Sequence, residues 1–295
     1  MRPTLRRFIL LVTALPLGAT VAHGQLDIDP NTGICRPRAS SNEAKLLAFY
    51  SAPFAFSGMS AVLPTDGASG VRLWIGGEAT AVPTPAASVR TSDRCYGVRK
   101  TENTNLAPVL PRPRVLLALP GGFSVEASYL PPVTVFGATP NVASAAVSWA
   151  TPLTGKLGLL LRAHGTFGTL EAPITCSDEN LQQRDPGAPC FGTNESADRY
   201  SPNILGAEGA LTLALSEKIR AFAGAGYNRL ESRFEVNFQG TNNSDDTRIE
   251  LSLSRVPFFG GVNWLVAPRF ELSAQAYSIP QDLTTVRFGA MYRLR

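Results

Sequence analysis

The chain has 295 residues, 44% of them hydrophobic, with 26 Gly, 23 Pro and a formal charge of +4. It is too apolar for a disordered chain, and after residue 24 no stretch has the about 18 uncharged apolar residues that a spanning helix needs. Setting aside Arg2, Arg6 and Arg7, with no acid before Gln25, lowers the charge from +4 to +1, so charge gives no reason to expect a nucleic-acid partner.

Residues 1–24 read as a cleaved secretory signal peptide. MRPTLRRF is a basic start, ILLVTALPLGATV a short apolar run, and AHG a small-residue cleavage site before Gln25. An exported chain with Cys35, Cys95, Cys176 and Cys190 reads as two disulfides rather than a metal site, because no His or second Cys lies at ligand spacing. Cys176 and Cys190 share one polar stretch and are paired on that ground. Cys35–Cys95 then follows by elimination. Residues 25–69 form an irregular and helical N-terminal segment, a plug or a periplasmic cap. Within it SSNEAKLLAFYSAPF predicts a helix, with Ser40 and Glu43 as a capping box and Pro53 at its end.

From residue 70 the hydrophobic period changes to two. VRLWIGGEA sets Val71, Leu73 and Ile75 opposite Arg72, Trp74 and Glu78. RVLLALP and FSVEASYL make a hairpin about Gly121–Gly122. Further strands are expected at 142–150, 157–169, 203–215, 219–238, 247–266, 269–277 and 285–294. Short connections near 120–122, 151–156, 216–218 and 267–268 alternate with long ones at 80–111, 131–141, 170–202, 239–246 and 279–284. Tight turns at one end and long loops at the other describe an all-β, antiparallel, up-and-down transmembrane β-barrel over residues 70–295. The count is about ten strands. Counting PFAFSGMSAVLP and a segment near Cys95 as strands gives twelve, and lets Cys35 meet Cys95 at one end; with ten, their bond requires residues 35–70 to thread the lumen.

The export signal, the meander and the closing strand TTVRFGAMYRLR resemble bacterial outer-membrane β-barrel proteins over residues 70–295. The resemblance implies that the final strand addresses the barrel-insertion machinery and that the outward face meets outer-membrane lipid. The family commonly ends on Phe or Trp; here the aromatics are Phe288 and Tyr292, before Leu294–Arg295.

The inward faces should carry Arg72, Glu78, Arg114, Glu126, Arg162, His164, Glu208, Arg248, Glu250, Arg269, Glu271, Arg287 and Arg293. Such mixed charge lines a small pore or salt-bridges and closes the bore. His164 lacks any G-x-S-x-G or His-x-Ser companion, which makes it a lumen residue before a catalytic one. GAGYN lies in a strand and precedes no helix, so it is no nucleotide fingerprint. The loop 170–202 is acidic, with Glu171, Asp178, Glu179, Asp185, Glu195 and Asp198 against Arg184 and Arg199, but has no calcium-loop spacing. The favoured function is a narrow channel for small solutes, not an enzyme and without cofactor or metal. The alternatives are a closed structural or adhesive barrel acting through the disulfide-clipped loop 170–202, and a lipid-modifying enzyme using His164.

Overall fold

The structure, a computed structural model, describes residues 27–59, 70–92, 94–95, 108–135 and 137–294. The expected signal peptide lies outside the described residues.

Ten strands close into a barrel: β1 (Arg72–Ala81), β2 (Val109–Ala118), β3 (Phe123–Leu130), β4 (Thr139–Pro152), β5 (Leu157–Ala172), β6 (Ile204–Ala214), β7 (Ile219–Leu230), β8 (Phe258–Ala267), β9 (Phe270–Ile279) and β10 (Leu283–Arg293). Each pairs antiparallel with the next, and β10 returns to β1 from Val286–Ala81 to Arg293–Trp74. Closure brings every wall strand between two neighbours, as backbone surrounded by hydrocarbon requires.

The alternation sorts side chains by chemistry. Val147, Leu161, Leu211, Val262 and Phe288 point outward, about half exposed, while Glu78, Arg114, Glu126, Arg162 and Arg287 point inward and are buried. Outward aromatics form two levels. Phe123, Trp149, Trp264 and Tyr292 lie toward the short turns, and Tyr129, Phe167, Tyr227 and Phe258 toward the long loops. An apolar belt between aromatic girdles is the outer face of an outer-membrane barrel, and this chain is such a barrel.

Several strand boundaries differ from the sequence reading. β2 begins at Val109, before the expected Arg114, because a strand tolerates Pro111 and Pro113 here. The expected long loop 279–284 is a tight turn over 280–282, closed by Asp282 N–H donating to the Ile279 carbonyl at 2.9 Å. Arg255 clasps the Asp282 carboxylate at 2.7 and 3.1 Å. The expected long strands 219–238 and 247–266 are each broken. Their outer pieces leave the barrel and form a second ladder above its rim. There Asp198–Ser201 pairs with the end of β5, Arg233–Glu235 pairs with it, Arg248–Glu250 follows, and Ile34–Cys35 adds in parallel. The apolar face swaps near Tyr227–Arg229 and Arg255–Pro257, where the sequence reads as bulges or strand ends rising past the membrane; the swap marks the breaks but not the new partners. Arg248 and Glu250 therefore lie above the lumen, and Arg269 lies exposed in a short turn.

Both disulfides form, Cys35–Cys95 and Cys176–Cys190, each with Cα atoms 5.5 Å apart. Residues 53–59 join no ladder, so the wall among the described residues has ten strands, not twelve. Helix α1 (Asn42–Phe54) sits inside the long-loop end of the barrel. Its N-cap is Ser41, whose Oγ accepts from Ala44 N–H at 3.2 Å. The expected Ser40–Glu43 box does not form: Glu43 turns away to accept the Arg94 and Cys95 amides at 2.7 and 3.0 Å.

If the outward belt meets lipid, Val147→Arg should cost about 2–4 kcal/mol in bilayer-based unfolding titrations. Leu153→Arg, in an exposed short turn, should stay within about 0.5 kcal/mol. Equal effects would remove the lipid assignment.

Candidate functional site

The lumen is occupied by the chain's own N-terminal segment. A helix ends with carbonyls that its own turns leave unpaired. In α1 these point into the barrel, where the wall satisfies them. Arg287 donates to the Ala52 and Ala55 carbonyls at 3.1 and 2.9 Å, Arg112 to Pro53 at 3.2 Å, and Thr166 to Phe54 at 2.9 Å. The last turn of α1 has no basic residue of its own.

Below the helix the chain descends along the axis. Phe56, fully buried, has the guanidinium carbons of Arg114, Arg162 and Arg112 at 4.4, 5.2 and 5.5 Å from its ring centroid. The Ser57 carbonyl accepts from Arg114 at 2.7 Å, the Gly58 carbonyl from Gln275 at 3.0 Å, and the Met59 carbonyl from Asn263 at 2.7 Å. Trp74, Leu116, Ala118 and Met291 form a small apolar cluster nearer the short turns.

The inward charges join across strands. Glu78 meets Arg114 at 3.1 Å and Arg112 at 4.0 Å, and Glu126 meets Arg114 and Arg162 at 2.8 Å each. His164 Nε2 lies 3.6 Å from Glu208 Oε1, and neither ring nitrogen makes a hydrogen bond among the described residues. Of the sequence candidates, Glu78, Glu126, Arg162, His164, Glu208 and Arg287 are thus gathered around one segment, with Arg114. Arg72 and Glu271 are half-buried near the short turns, where Glu271 accepts from Asn263 at 3.0 Å. Arg293 stacks over Trp74 at 5.6 Å.

The acidic loop is organised internally. Asp198, fully buried, accepts from Thr175 N–H, Ser196 Oγ and Asn237 N–H at 2.6, 2.8 and 3.0 Å. Glu171 pairs with Arg199 at 2.8 Å. No metal-binding cluster of three such side chains exists among the described residues.

At the long-loop end, α1 leaves one side of the mouth open. A cavity of about 850 Å³ lies there, lined by Leu46, Leu47, Tyr50 and Phe54 of the helix, Leu110 of β2, Leu130 of β3, and Val133 and Val135 of the following loop. Its size falls within the range of small-molecule sites. Sequence reading missed it because its walls are gathered from stretches far apart in the chain, from Glu43 to Ala290. It also missed the place of Phe56, which it read only as part of a possible wall strand, PFAFSGMSAVLP.

No family model matches the sequence, and no curated protein matches it. Solved structures with a similar barrel include the attachment invasion locus protein Ail of Yersinia pestis, 10% identical over 76% of this chain and 97% of its own, TM-score 0.28. The toluene transporter TbuX of Ralstonia pickettii is 11% identical over 82% and 93%, TM-score 0.36. The outer membrane protease OmpT of Escherichia coli is 13% identical over 76% and 95%, TM-score 0.40. Their activities do not transfer to this chain on that likeness.

Arg287→Ala would leave two buried carbonyls without their charged donor, a loss of about 2–3 kcal/mol. Hydrogen exchange should rise over residues 52–59 while the barrel wall stays protected. Arg287→Lys should recover only part, since a point charge cannot span both carbonyls as the fork does. Unchanged exchange in Arg287→Ala would show that the plug is held elsewhere.

Proposed function

We propose that the chain is a bacterial outer-membrane barrel that takes small apolar molecules into the cavity at its mouth. The long-loop end faces outward, following the usual asymmetry of such barrels. The observation that carries this reading is the cavity itself: aliphatic and aromatic side chains line most of it. Burying apolar surface there favours a ligand by about 25 cal/mol per Å² removed from water. A hydrated ion finds no comparable path among the described residues, because the threaded segment and the ion-paired arginines occupy the axis. The favoured solute is therefore apolar, and open-channel conduction is not part of the reading. Nor is catalysis: His164→Ala should leave ligand binding unchanged.

Two measurements on folded, disulfide-intact protein test this. Planar bilayers should stay electrically silent, and calorimetry against protein-free micelles should detect naphthalene binding. Leu110→Arg, which sets a charge in the cavity wall, should weaken that binding by roughly tenfold or more, since about 1.4 kcal/mol suffices. Discrete conductance steps would restore the narrow-channel reading. Absence of naphthalene binding would remove the present one and leave the outer loops, including 170–202, as the working surface.

A further inference from the structure

The wall is incomplete on one side of the cavity. β3 runs to Leu130, yet its pairing with β2 stops at Val115–Ala127. β2 pairs with β1 along its whole length, Arg72–Ala118 to Ala81–Val109.

The parity of the hydrogen bonds explains the difference. Val82 N–H donates to the Pro108 carbonyl at 2.9 Å, so even-numbered residues of β2 turn their backbone groups toward β1. Leu119 N–H donates to the Phe123 carbonyl at 2.8 Å, so odd-numbered ones face β3. Pro111 and Pro113 are odd. Continuing the register sets Pro113 opposite Tyr129, and Pro111 opposite Pro131. The three prolines thus remove three of the four amide donors where the two strands should zip, leaving that of Tyr129, while the ladder to β1 is untouched. The Arg114–Glu126 ion pair, 2.8 Å long, closes the lower end of the slit from inside.

The lining of the cavity spans β2: Leu47, Leu110 and Leu130 lie on the lumen side, and Pro111 and Pro113 of β2, with Gly77 and Ala79 of β1 and Ala290 of β10, on the lipid-facing side. Tyr129, in the outer aromatic level, marks the depth as the outer-leaflet interface.

We infer that the slit between β2 and β3 is a lateral port, through which a small apolar molecule held in the cavity passes between the barrel and the outer leaflet. The inference rests on the proposed function and adds the route. With the axis plugged, a sideways route is the one the described wall offers. The β2 edge of the slit offers carbonyls and no amide donors, so an acceptor group on the ligand finds no backbone partner there.

The test uses full-length protein in cells and, purified, in micelles, with naphthalene as probe. Pro111→Ala/Pro113→Ala restores two donors facing β3. Ala79→Phe obstructs the lipid-facing side without touching the ladder, and serves where the double variant fails to show the heat-dependent gel shift of a folded barrel. Each folded variant should take up naphthalene in cells severalfold more slowly than any change in its calorimetric affinity accounts for. Wild-type uptake in a variant that binds normally would overturn the lateral port and leave the proposed function standing. No binding by the wild type would overturn both.

Discussion

The lumen depends on one electrostatic match: the exposed carbonyls at the end of α1 against the guanidinium groups of β2 and β10. The four inward arginines Arg112, Arg114, Arg162 and Arg287 exceed the three inward glutamates Glu78, Glu126 and Glu208 by one charge. A buried excess of that kind is costly without a partner. The C-terminal end of a helix carries roughly half a negative charge. Setting that end against Arg287 and Arg112 offsets the excess and satisfies the carbonyls together. Neither side is tolerable alone. An empty lumen would leave Arg287 without acceptors, and a free segment would leave its last turn unpaired.

The same match sets the path of the chain along the axis. With α1 anchored, Phe56 has one place to go, among three guanidinium groups that already lean together on Glu78 and Glu126. Cation–π attraction there adds to a geometry that the ion pairs have set. The descent past Arg114, Gln275 and Asn263 then takes a wall donor at each of Ser57, Gly58 and Met59. The Cys35–Cys95 bond and the Glu43 contact to the Cys95 amide secure the opposite end of the segment. A short stretch held at both ends, with its carbonyls used, behaves as part of the wall.

The barrel was legible in the sequence because a two-sided environment writes a period of two. Val286 to Leu294 shows it plainly: Phe288 and Tyr292 face out, and Arg287 is fully buried. The inward candidates were legible for the same reason, since a charge on the alternate face can only point to the lumen. What was not legible depends on pairing rather than period. Arg248 and Glu250 keep the alternation but sit in a ladder above the rim. Whether Cys35 reaches Cys95 by threading is a question of path, and no local pattern encodes path. The capping box at Ser40 failed because Glu43 had a stronger use, the amides of Arg94 and Cys95. The cavity escaped because its lining is gathered from distant segments, each with an ordinary apolar residue.

The prolines of β2 carry information of a different kind. In hydrocarbon a donor without an acceptor is expensive, so a closed barrel presses every ladder to completion. An opening in such a wall cannot be made by weakening side-chain contacts, because the backbone would still pair. It can be made by deleting donors, and only those on one side of one strand. Pro111 and Pro113 do this, two residues apart, on the parity that faces β3 and not β1. One proline would leave an isolated gap that its neighbours bridge. Two in step, with Pro131 opposite Pro111, leave a stretch whose one remaining facing amide is that of Tyr129. The same deletion keeps the edge from templating a foreign strand, since an edge without donors makes a poor partner. A plugged axis and a slit beside an apolar cavity are thus complementary: the first denies a solute the way down, and the second leaves it the way sideways.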